Sequence, residues 1–424
     1  RLLLHRAGLN GSEVAFSFVL EHLRMTALDR GRHTRLLRWQ EARDGSLYVT
    51  CGARHLVRAA DGRLERVVNG SGGVWAAGDA VYPEWTPAPE VHPLDLAAFR
   101  PPLETPPEVP AYTPQAQGVL LSAWIAALLS GMRPLPILLC LGQRGGGKST
   151  LARAIVKMLM GPTADLTGLG ADQRDFEALL SCGVAGLDNL DAANSKDSKS
   201  RIFAPWLPDA LSIATTGGVI RRRRLYSDGA EVSRPISAAL VLTTRSADFV
   251  RADVSERVLP ILTGELADDG RLADADLMGE VVAQRDGLLS WATAAGAVLL
   301  ASRPHAPRGL PLRFADFAAA VWAFDHDGAA GILSALRAAQ ALAVQESDPL
   351  AEALIAHADA LIGWHTPADL IKQLDAAGAE LPFMGGGKAI SRRLRELRAT
   401  LRLAGLGLYE RQMGHGVEWS VQKG

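Results

Sequence analysis

Ile137-Leu138-Leu139-Cys140-Leu141 runs directly into Gly142-Gln143-Arg144-Gly145-Gly146-Gly147-Lys148-Ser149-Thr150. A short unbroken apolar run reads as a strand buried on both faces. Beyond Thr150, apolar residues return at Leu151, Ile155, Met158 and Leu159, a helical pattern. The glycine run between them has the form G-x-x-x-x-G-K-[ST] in the strand–loop–helix setting that a phosphate-binding loop requires. Glycines let the backbone turn its N–H groups inward, where a Cβ would clash or forbid the dihedrals. The helix that follows presents its positive end to an anion. Gly142, Gln143, Arg144, Gly145, Gly146, Gly147, Lys148, Ser149 and Thr150 are therefore the expected nucleotide cradle, with ATP as the ligand. Lys148 is expected on the β- and γ-phosphates, and Ser149 on Mg2+.

Such a loop needs an acid from a second strand. Gly183-Val184-Ala185-Gly186-Leu187 ends in Asp188, an apolar strand closed by a carboxylate, so Asp188 is the expected second metal ligand. Asn189 stands next to it; an amide can hold a water but cannot take its proton. Asp191 lies two residues further on and is the substitute if the turn allows. A third apolar strand, Ala238–Leu242, ends in Thr243-Thr244-Arg245, so Thr243 or Thr244 stands at a strand tip where it can touch the γ-phosphate or the water; Thr244 is taken as the catalytic one. Asp253-Val254-Ser255-Glu256-Arg257 follows. Arg257 is read as a residue that stabilises transition-state charge, typically from a neighbouring subunit, against the alternative of an i,i+4 salt bridge to Asp253.

These segments together resemble an AAA+ ATPase. More narrowly they are similar to the superfamily 3 helicase-like ATPases in primase–helicase proteins of phages, prophages and other mobile elements. The resemblance rests on Gly142–Thr150, Leu187-Asp188-Asn189-Leu190, Ala214–Gly218 with Arg224–Asp228, Leu242-Thr243-Thr244 and Asp253–Arg257, and covers about 115–265. It implies an AAA+ core, a ring that is usually a hexamer, and ATP-driven movement on DNA. It also implies nucleotide and Mg2+ binding by Lys148 and Ser149, metal binding by Asp188, a sensor at Thr243 or Thr244, and a finger in trans at Arg257. Two positions depart from the pattern: Asn189, and Arg245, where the family often has Asn.

Two stretches suggest contact with DNA. Val219–Tyr226 reads as a strand, Ser227–Ala230 as a turn and Glu231–Ile236 as the return. By the resemblance, a hairpin here faces a central channel. Arg221, Arg222, Arg223 and Arg224 alternate across it, two on each face, and guanidinium forks suit phosphate; an ion-paired subunit interface is the other reading, and the acidic tip at Asp228 favours it. The second stretch starts at Thr366-Pro367, a capped helix start. A helix from Lys388 to Leu403 then carries Ile390, Leu394, Leu397 and Leu401 on one face and Lys388, Arg392, Arg393, Arg395, Arg398 and Arg402 on the other, opposed by Glu396 alone. A turn at Met413–Gly416 and alternating Val417, Trp419 and Val421 complete a helix, basic helix, β-wing order, that of a winged helix. Lys388, Arg392 and Arg395 are the expected phosphate contacts; a basic face in a protein–protein module is the alternative.

Around these segments the chain reads as α/β. Residues 1–112 form a β-rich N-terminal or collar region, with a helix capped at Ser12 and strands at Arg35–Trp39, Ser46–Val49, His55–Arg58 and Leu64–Val68. Asp44-Gly45 and Asp61-Gly62 mark hairpins. Residues 83–113 are proline-rich, a linker or an irregular collar. The ATPase core spans 113–265, a helical bundle 266–363 and the winged-helix-like part 364–424. Asp274-Ala275-Asp276 is read as helix-start capping. The 424 residues suit two to four domains. With 48% hydrophobic and 21% charged residues, a mainly disordered chain and a small disulfide scaffold are excluded. A net charge of −1 leaves nucleic-acid contact to local patches. Cys51, Cys140 and Cys182 have no metal or disulfide spacing and fit a reducing, cytoplasmic setting. Val119–Met132 and Gly287–Ala301 fall short of the ~20 apolar residues that cross a bilayer, so no membrane partner is expected. The chain starts at Arg1, which reads as a piece of something longer. The resulting expectation is an ATP-driven DNA motor of a replicating phage or mobile element. The alternatives are a loader or regulator that grips DNA without unwinding it, and an anti-phage defence ATPase.

Overall fold

A computed structural model of the chain describes residues 8, 14–30, 34–36, 39–41, 45–76, 83–169, 173–180, 183–190, 206–223, 231–236, 238–245, 252–266, 272–347, 349–379, 381, 385–414 and 416–423. The first third contains α1 (Val14–Arg30), β1 (Thr34–Leu36), β2 (Trp39–Glu41), β3 (Leu47–Cys51), β4 (His55–Ala60), β5 (Arg63–Val68), β6 (Val74–Ala76) and α2 (Pro114–Leu129). The middle contains β7 (Ile137–Gly142), α3 (Lys148–Met160), β8 (Thr167–Gly168), α4 (Gln173–Leu179), β9 (Val184–Asp188), α5 (Leu207–Thr216), β10 (Gly218–Arg223), β11 (Glu231–Ile236), β12 (Ala239–Thr244), α6 (Ala252–Ser255) and β13 (Val258–Thr263). The remainder contains α7 (Asp274–Ala283), α8 (Arg285–Ser302), α9 (Ala315–Phe324), α10 (Ala329–Ser347), α11 (Pro349–Ala356), α12 (Pro367–Ala376), α13 (Gly387–Leu403), β14 (Leu406–Met413) and β15 (Gly416–Lys423).

The apolar runs at 137–142, 184–188, 239–244 and 258–263 make a parallel sheet ordered β13-β7-β12-β9-β8, in which β8 supplies two residues. Side chains alternate across a sheet, so each strand feeds two cores. Leu138, Cys140 and Val241 enter one; Ile137, Leu139, Leu240 and Leu242 enter the other. That double burial is why the strands read as continuous apolar runs. The first core is centred on α2, where every residue from Ala116 to Leu129 except Val119 is buried. A helix that is apolar on all sides belongs in an interior, and the one indole on α2 is satisfied there: Trp124 Nε1 donates to Pro136 O at 2.7 Å.

The proline-rich stretch is packed. Trp85, Leu96, Phe99, Val109 and Tyr112 are buried in the first core, and the Tyr112 hydroxyl donates to Pro260 O. Leu103 bridges Thr263, while Glu104 N donates to Leu262 O at 2.9 Å and Gly264 N to Pro102 O at 2.7 Å, so the stretch adds an edge to β13. Proline lacks the N–H that a central strand needs but tolerates an edge. Of the two readings, linker or collar, the structure has the packed one. Apolar packing crosses the positions 112, 265 and 363: the first core runs from Leu47 to Ala339 and the second from Ile137 to Val421.

Near the N-terminus β2-β3-β4-β5 form an antiparallel sheet, and β1 pairs with β6. The expected strand 35–39 is two short strands, β1 and β2, in separate sheets. Ser12 lies outside the described residues. Residues 274–356 form the helices α7 to α11, with Phe314, Phe317 and Val321 buried as their spacing predicts. Among the described residues no helix is long and apolar enough to cross a membrane.

Candidate functional site

The carboxyl ends of β7, β9 and β12 point the same way, and in an open parallel sheet ligands bind at that edge where the strand order reverses. The glycine loop sits there, between β7 and α3. Gly147 caps α3 at φ 79°, a left-handed conformation that a side chain would strain. Gly146 is held by proximity instead: a Cβ on it would lie 2.4 Å from Gly264 O and 2.9 Å from Thr263 Oγ1. The loop is thus pressed onto the end of β13. Lys148 Nζ donates to Gln143 O at 2.5 Å and closes the loop on itself.

Three groups meet at Asp188. Ser149 Oγ donates to Asp188 Oδ1 at 2.7 Å, Thr243 Oγ1 donates to the same oxygen at 2.5 Å, and Asn189 N donates to Thr243 Oγ1 at 2.8 Å. Ser149 and Asp188 offer two hard oxygen donors side by side, the donor set that magnesium takes. Thr243 is the tip residue at this site. Thr244, the residue assigned to catalysis from the sequence, is buried and sits one residue on, so the alternation of the strand turns it to the other face. Thr243→Val is therefore expected to lower turnover of the site's substrate by about 10²-fold. Thr244→Val should cost stability with little effect on rate; comparing rates and melting temperatures of the two variants checks this.

Asn189 has φ 55°, left-handed like a glycine position. Asn is several-fold enriched there because its short amide is tolerated. An aspartate is tolerated there as well, as at Asp61 with φ 51°, so the turn does not dictate the amide where the motif favours an acid. Asp191 lies outside the described residues. Arg153, one turn beyond Ser149, and Asn189 line a cavity of about 490 Å3 together with Asp165, Thr167 and Asp188. Arg153 pairs with Asp165 at 2.8 Å and with Asp274 at 2.9 Å. Burial disfavours its charge, yet the bond to Asp165 and the charges of Asp274, Asp165 and Asp188 raise its pKa above the ordinary value. Asp274 begins α7, but its carboxylate makes no cap bond; it goes to Arg153 and, at 3.5 Å, to Thr150 Oγ1. The capping reading of Asp274 is corrected accordingly. No short-range pattern links Arg153 to Asp274, 121 residues away. Cys140, behind the loop, is driven by burial to a pKa of about 12 and stays a thiol.

Arg257 is elsewhere. It precedes β13, and its carbonyl accepts from Ile137 N at 2.8 Å at the start of β7, whereas the glycine loop lies past the far end of that strand. Six residues of strand put roughly 20 Å between them. Among the bonds of Arg257, Nη1 reaches Ser212 O at 3.4 Å and Thr215 Oγ1 at 3.3 Å in the last turns of α5. The side chain of Asp253, the alternative partner, lies outside the described residues. Arg245 is exposed immediately after β12, at the loop's end of the sheet.

The β10–β11 hairpin pairs Gly218 with Ile236 and Arg223 with Glu231. Arg221, Arg222 and Arg223 lie on β10; their side chains, and residues 224–230 with Arg224 and Asp228, lie outside the described residues. In the C-terminal part, Thr366 Oγ1 accepts from Asp369 N at 3.2 Å, capping α12 at Pro367. Helix α13 buries Ile390, Leu394, Leu397 and Leu401, and β14 and β15 form the hairpin after it. Lys388 and Arg392 are exposed, with Arg392 4.0 Å from Glu396. Arg395 is differently placed. Its guanidinium grips Glu410 of β14 at 2.5–3.2 Å, and Arg398 reaches the same carboxylate at 3.2 Å. The basic face is thus opposed by Glu410 as well as Glu396, a cross-element partner that helical spacing could not reveal.

A family model described as actinomycete integrative conjugative element replication protein matches residues 109–345, more than half of the 424. The match takes in the glycine loop, Asp188, Thr243 and Arg257 and stops short of α12 and α13. Two solved structures, both of the apo A form of the NrS-1 C-terminal region, are similar to the chain at 11% identity and a TM-score of 0.34. One alignment covers 87% of this chain and 94% of that one; the other covers 90% and 97%. A likeness that distant carries no further argument. No curated protein matches the sequence.

Proposed function

We infer the function from one premise: the chain belongs to the family of actinomycete integrative conjugative element replication proteins. We propose that it is an ATP hydrolase with a P-loop AAA+ core, assembled as a homo-hexamer or other ring, that moves along DNA when the element replicates. The observation that carries this reading is the meeting of Ser149 and Thr243 on one oxygen of Asp188, at the mouth of a glycine loop that opens a 13-residue helix.

In this mechanism the amides of Gln143–Gly147 and the N-terminus of α3 receive the phosphates. Lys148 leaves Gln143 O for the β- and γ-phosphate oxygens, exchanging a carbonyl for a charged acceptor. Ser149 and Asp188 hold magnesium, which when bound supplies charge neutralisation to the phosphates. Thr243 and the amide of Asn189 orient the water against the γ-phosphate. Arg257 of one protomer stabilises the charge developing at its neighbour's site, because its own loop is out of reach. The hairpin arginines, Arg221–Arg224, and α13 of a winged helix, with Lys388 and Arg392 foremost, grip the DNA backbone. Arg395 joins them only by giving up Glu410.

A second reading, an ATP-dependent loader or regulator that holds DNA without unwinding it, is favoured by Asn189. Without an acid to take the water's proton, turnover suits a slow switch. A strand-displacement assay on a forked duplex separates the two. With ATP and Mg2+ the full chain is expected to release the labelled strand, and Lys148→Ala is not. DNA-stimulated ATP turnover without a displaced strand replaces the motor with the loader; no ATP turnover at all removes both.

A further inference from the structure

We propose that the outer face of the β14–β15 hairpin, carrying Tyr409 and Arg411 with Trp364 beside them, stacks the bases of single-stranded DNA. The inference deepens the DNA-bound part of the proposed function and rests on it. It starts from alternation. Leu408, Trp419 and Val421 are buried in the second core with Leu394 and Leu397 of α13, and Trp419 Nε1 donates to Ser391 Oγ at 3.2 Å. The helix thus covers one face of the hairpin. Tyr409 pairs with Ser420 and Arg411 with Glu418, one residue out of step with the pairs Leu408–Val421 and Glu410–Trp419, so these four side chains stand on the other face. His365 exchanges both backbone bonds with Trp419, each at 2.8 Å. That lays residues 363–365 along β15 and turns Trp364 to the same outer face as Glu418.

The groups on that face are seated so that planar surfaces remain open. Trp364 is 37% exposed and Tyr409 50%. The Tyr409 ring rests on Gly407: a Cβ there would stand 2.8 Å from Cε2 and 3.2 Å from Cζ, so only glycine leaves the ring its seat on the backbone. Arg411 is held twice. Its Nε and Nη2 donate to Glu418 Oε2 at 2.8 and 2.6 Å, and its Cζ stands 4.3 Å from the centre of the Trp364 ring. The carboxylate neutralises the guanidinium and fixes its plane, so the rotamer entropy that binding would cost is already spent. A guanidinium tied in this way is a poor phosphate clamp, but its plane remains a surface on which a base can stack.

That chemistry selects the occupant. Aromatic rings and arginine planes take any base by its π face. Tyr409 and Arg411 are two residues apart on β14, about 7 Å, twice the ~3.4 Å that separates stacked bases along a duplex strand. The two seats therefore suit bases already parted from one another, those of a single strand; a duplex keeps its base faces covered. A second copy of the chain or an apolar peptide would call for a continuous apolar patch. Here the Arg411–Glu418 ion pair interrupts it, standing between Tyr409 and Met413 along β14. Lys388 and Arg392 are exposed on α13, the element that covers the opposite face, so base contacts and phosphate contacts are divided between two layers. All of these residues follow position 345, where the family match ends.

The test uses the full chain and two labelled probes of equal length, oligothymidylate and an abasic deoxyribose phosphate strand, which carry the same phosphates. Wild type is expected to bind the first about tenfold more tightly than the second. Trp364→Ala with Tyr409→Ala is expected to bring that ratio to within about twofold of one by weakening oligothymidylate alone. Affinity for the abasic strand and the dependence on salt stay as in wild type, because no phosphate contact is removed; unchanged abasic binding also shows that the variant is folded. Trp364→Phe with Tyr409→Phe keeps the rings and is expected to keep most of the ratio. A wild-type ratio in the double alanine variant overturns the inference, as do equal affinities of wild type for the two probes. A double alanine variant that changes the size of the assembly and leaves the ratio alone overturns it too, and makes the face a contact between copies. If in any of these cases Lys388→Ala still reduces the salt slope by about one, the DNA-bound reading stands without the inference. If wild type binds neither probe, both fall.

Discussion

Asp188→Asn is expected to lower ATP turnover about 10³-fold while shifting the melting temperature by only a few degrees. The substitution is isosteric, so β9 and its ladder to β12 stay in place. What changes is charge and direction. Asp188 Oδ1 accepts two hydroxyl protons, from Ser149 and Thr243, and it carries the only full negative charge among the groups that meet there. An amide oxygen can still accept both, but it offers a bound cation no charge and leaves its own NH2 facing the phosphates as a competing donor. Holding and orienting the metal and neutralising its charge are therefore lost together, whereas the hydrogen bonds that hold the fold are kept. The measurement is steady-state phosphate release with Mg2+, alongside a thermal melt. Turnover within tenfold of wild type would remove Asp188 from the chemistry, and with it the observation on which the proposed function rests.

The sheet and the loop were legible because their signals are local and redundant. Leu138 and Leu139 must both be buried, on opposite faces, so the sequence shows an unbroken apolar run; Gly147 must be left-handed, so no other residue stands there. The choice between Thr243 and Thr244, of which Thr243 meets Asp188, lacked a reference in the sequence. Alternation says that only one of two adjacent threonines faces the site, but the phase of β12 is set by its partners, and a sequence does not number its partners. The long-range contacts were invisible for a related reason. Arg153 with Asp274, and Arg395 with Glu410, are carried by separate elements, and nothing in local periodicity couples them. The proline-rich stretch left its two readings open for a third reason. Composition distinguishes what cannot form a central strand, and an edge segment that packs Trp85 and Phe99 into the core satisfies the same composition as a free linker.

Arg257→Ala is expected to lower ATP turnover by about 10³-fold or more, and mixing it with Lys148→Ala to restore part of the rate. The loss alone would not identify the role, since Arg257 also holds the end of α5, and a destabilised helix can slow any enzyme. The mixture does identify it. Within one protomer, Arg257 and the glycine loop stand at opposite ends of β7 and β13, roughly 20 Å apart, so an intact pair must be drawn from two protomers. In a mixed ring with head-to-tail contacts, a protomer bearing Arg257→Ala keeps a sound loop, and a Lys148→Ala neighbour can supply it with a sound arginine. Random mixing in equal parts makes roughly a quarter of the junctions complete, so a recovery of that order is expected from two inactive proteins. Recovery also requires that protomers exchange, which a mass measurement on the mixture establishes independently. If mixed rings form and the rate stays at the level of the single variants, Arg257 does not act across the junction, and its role lies within its own protomer, where it reaches Ser212 and Thr215.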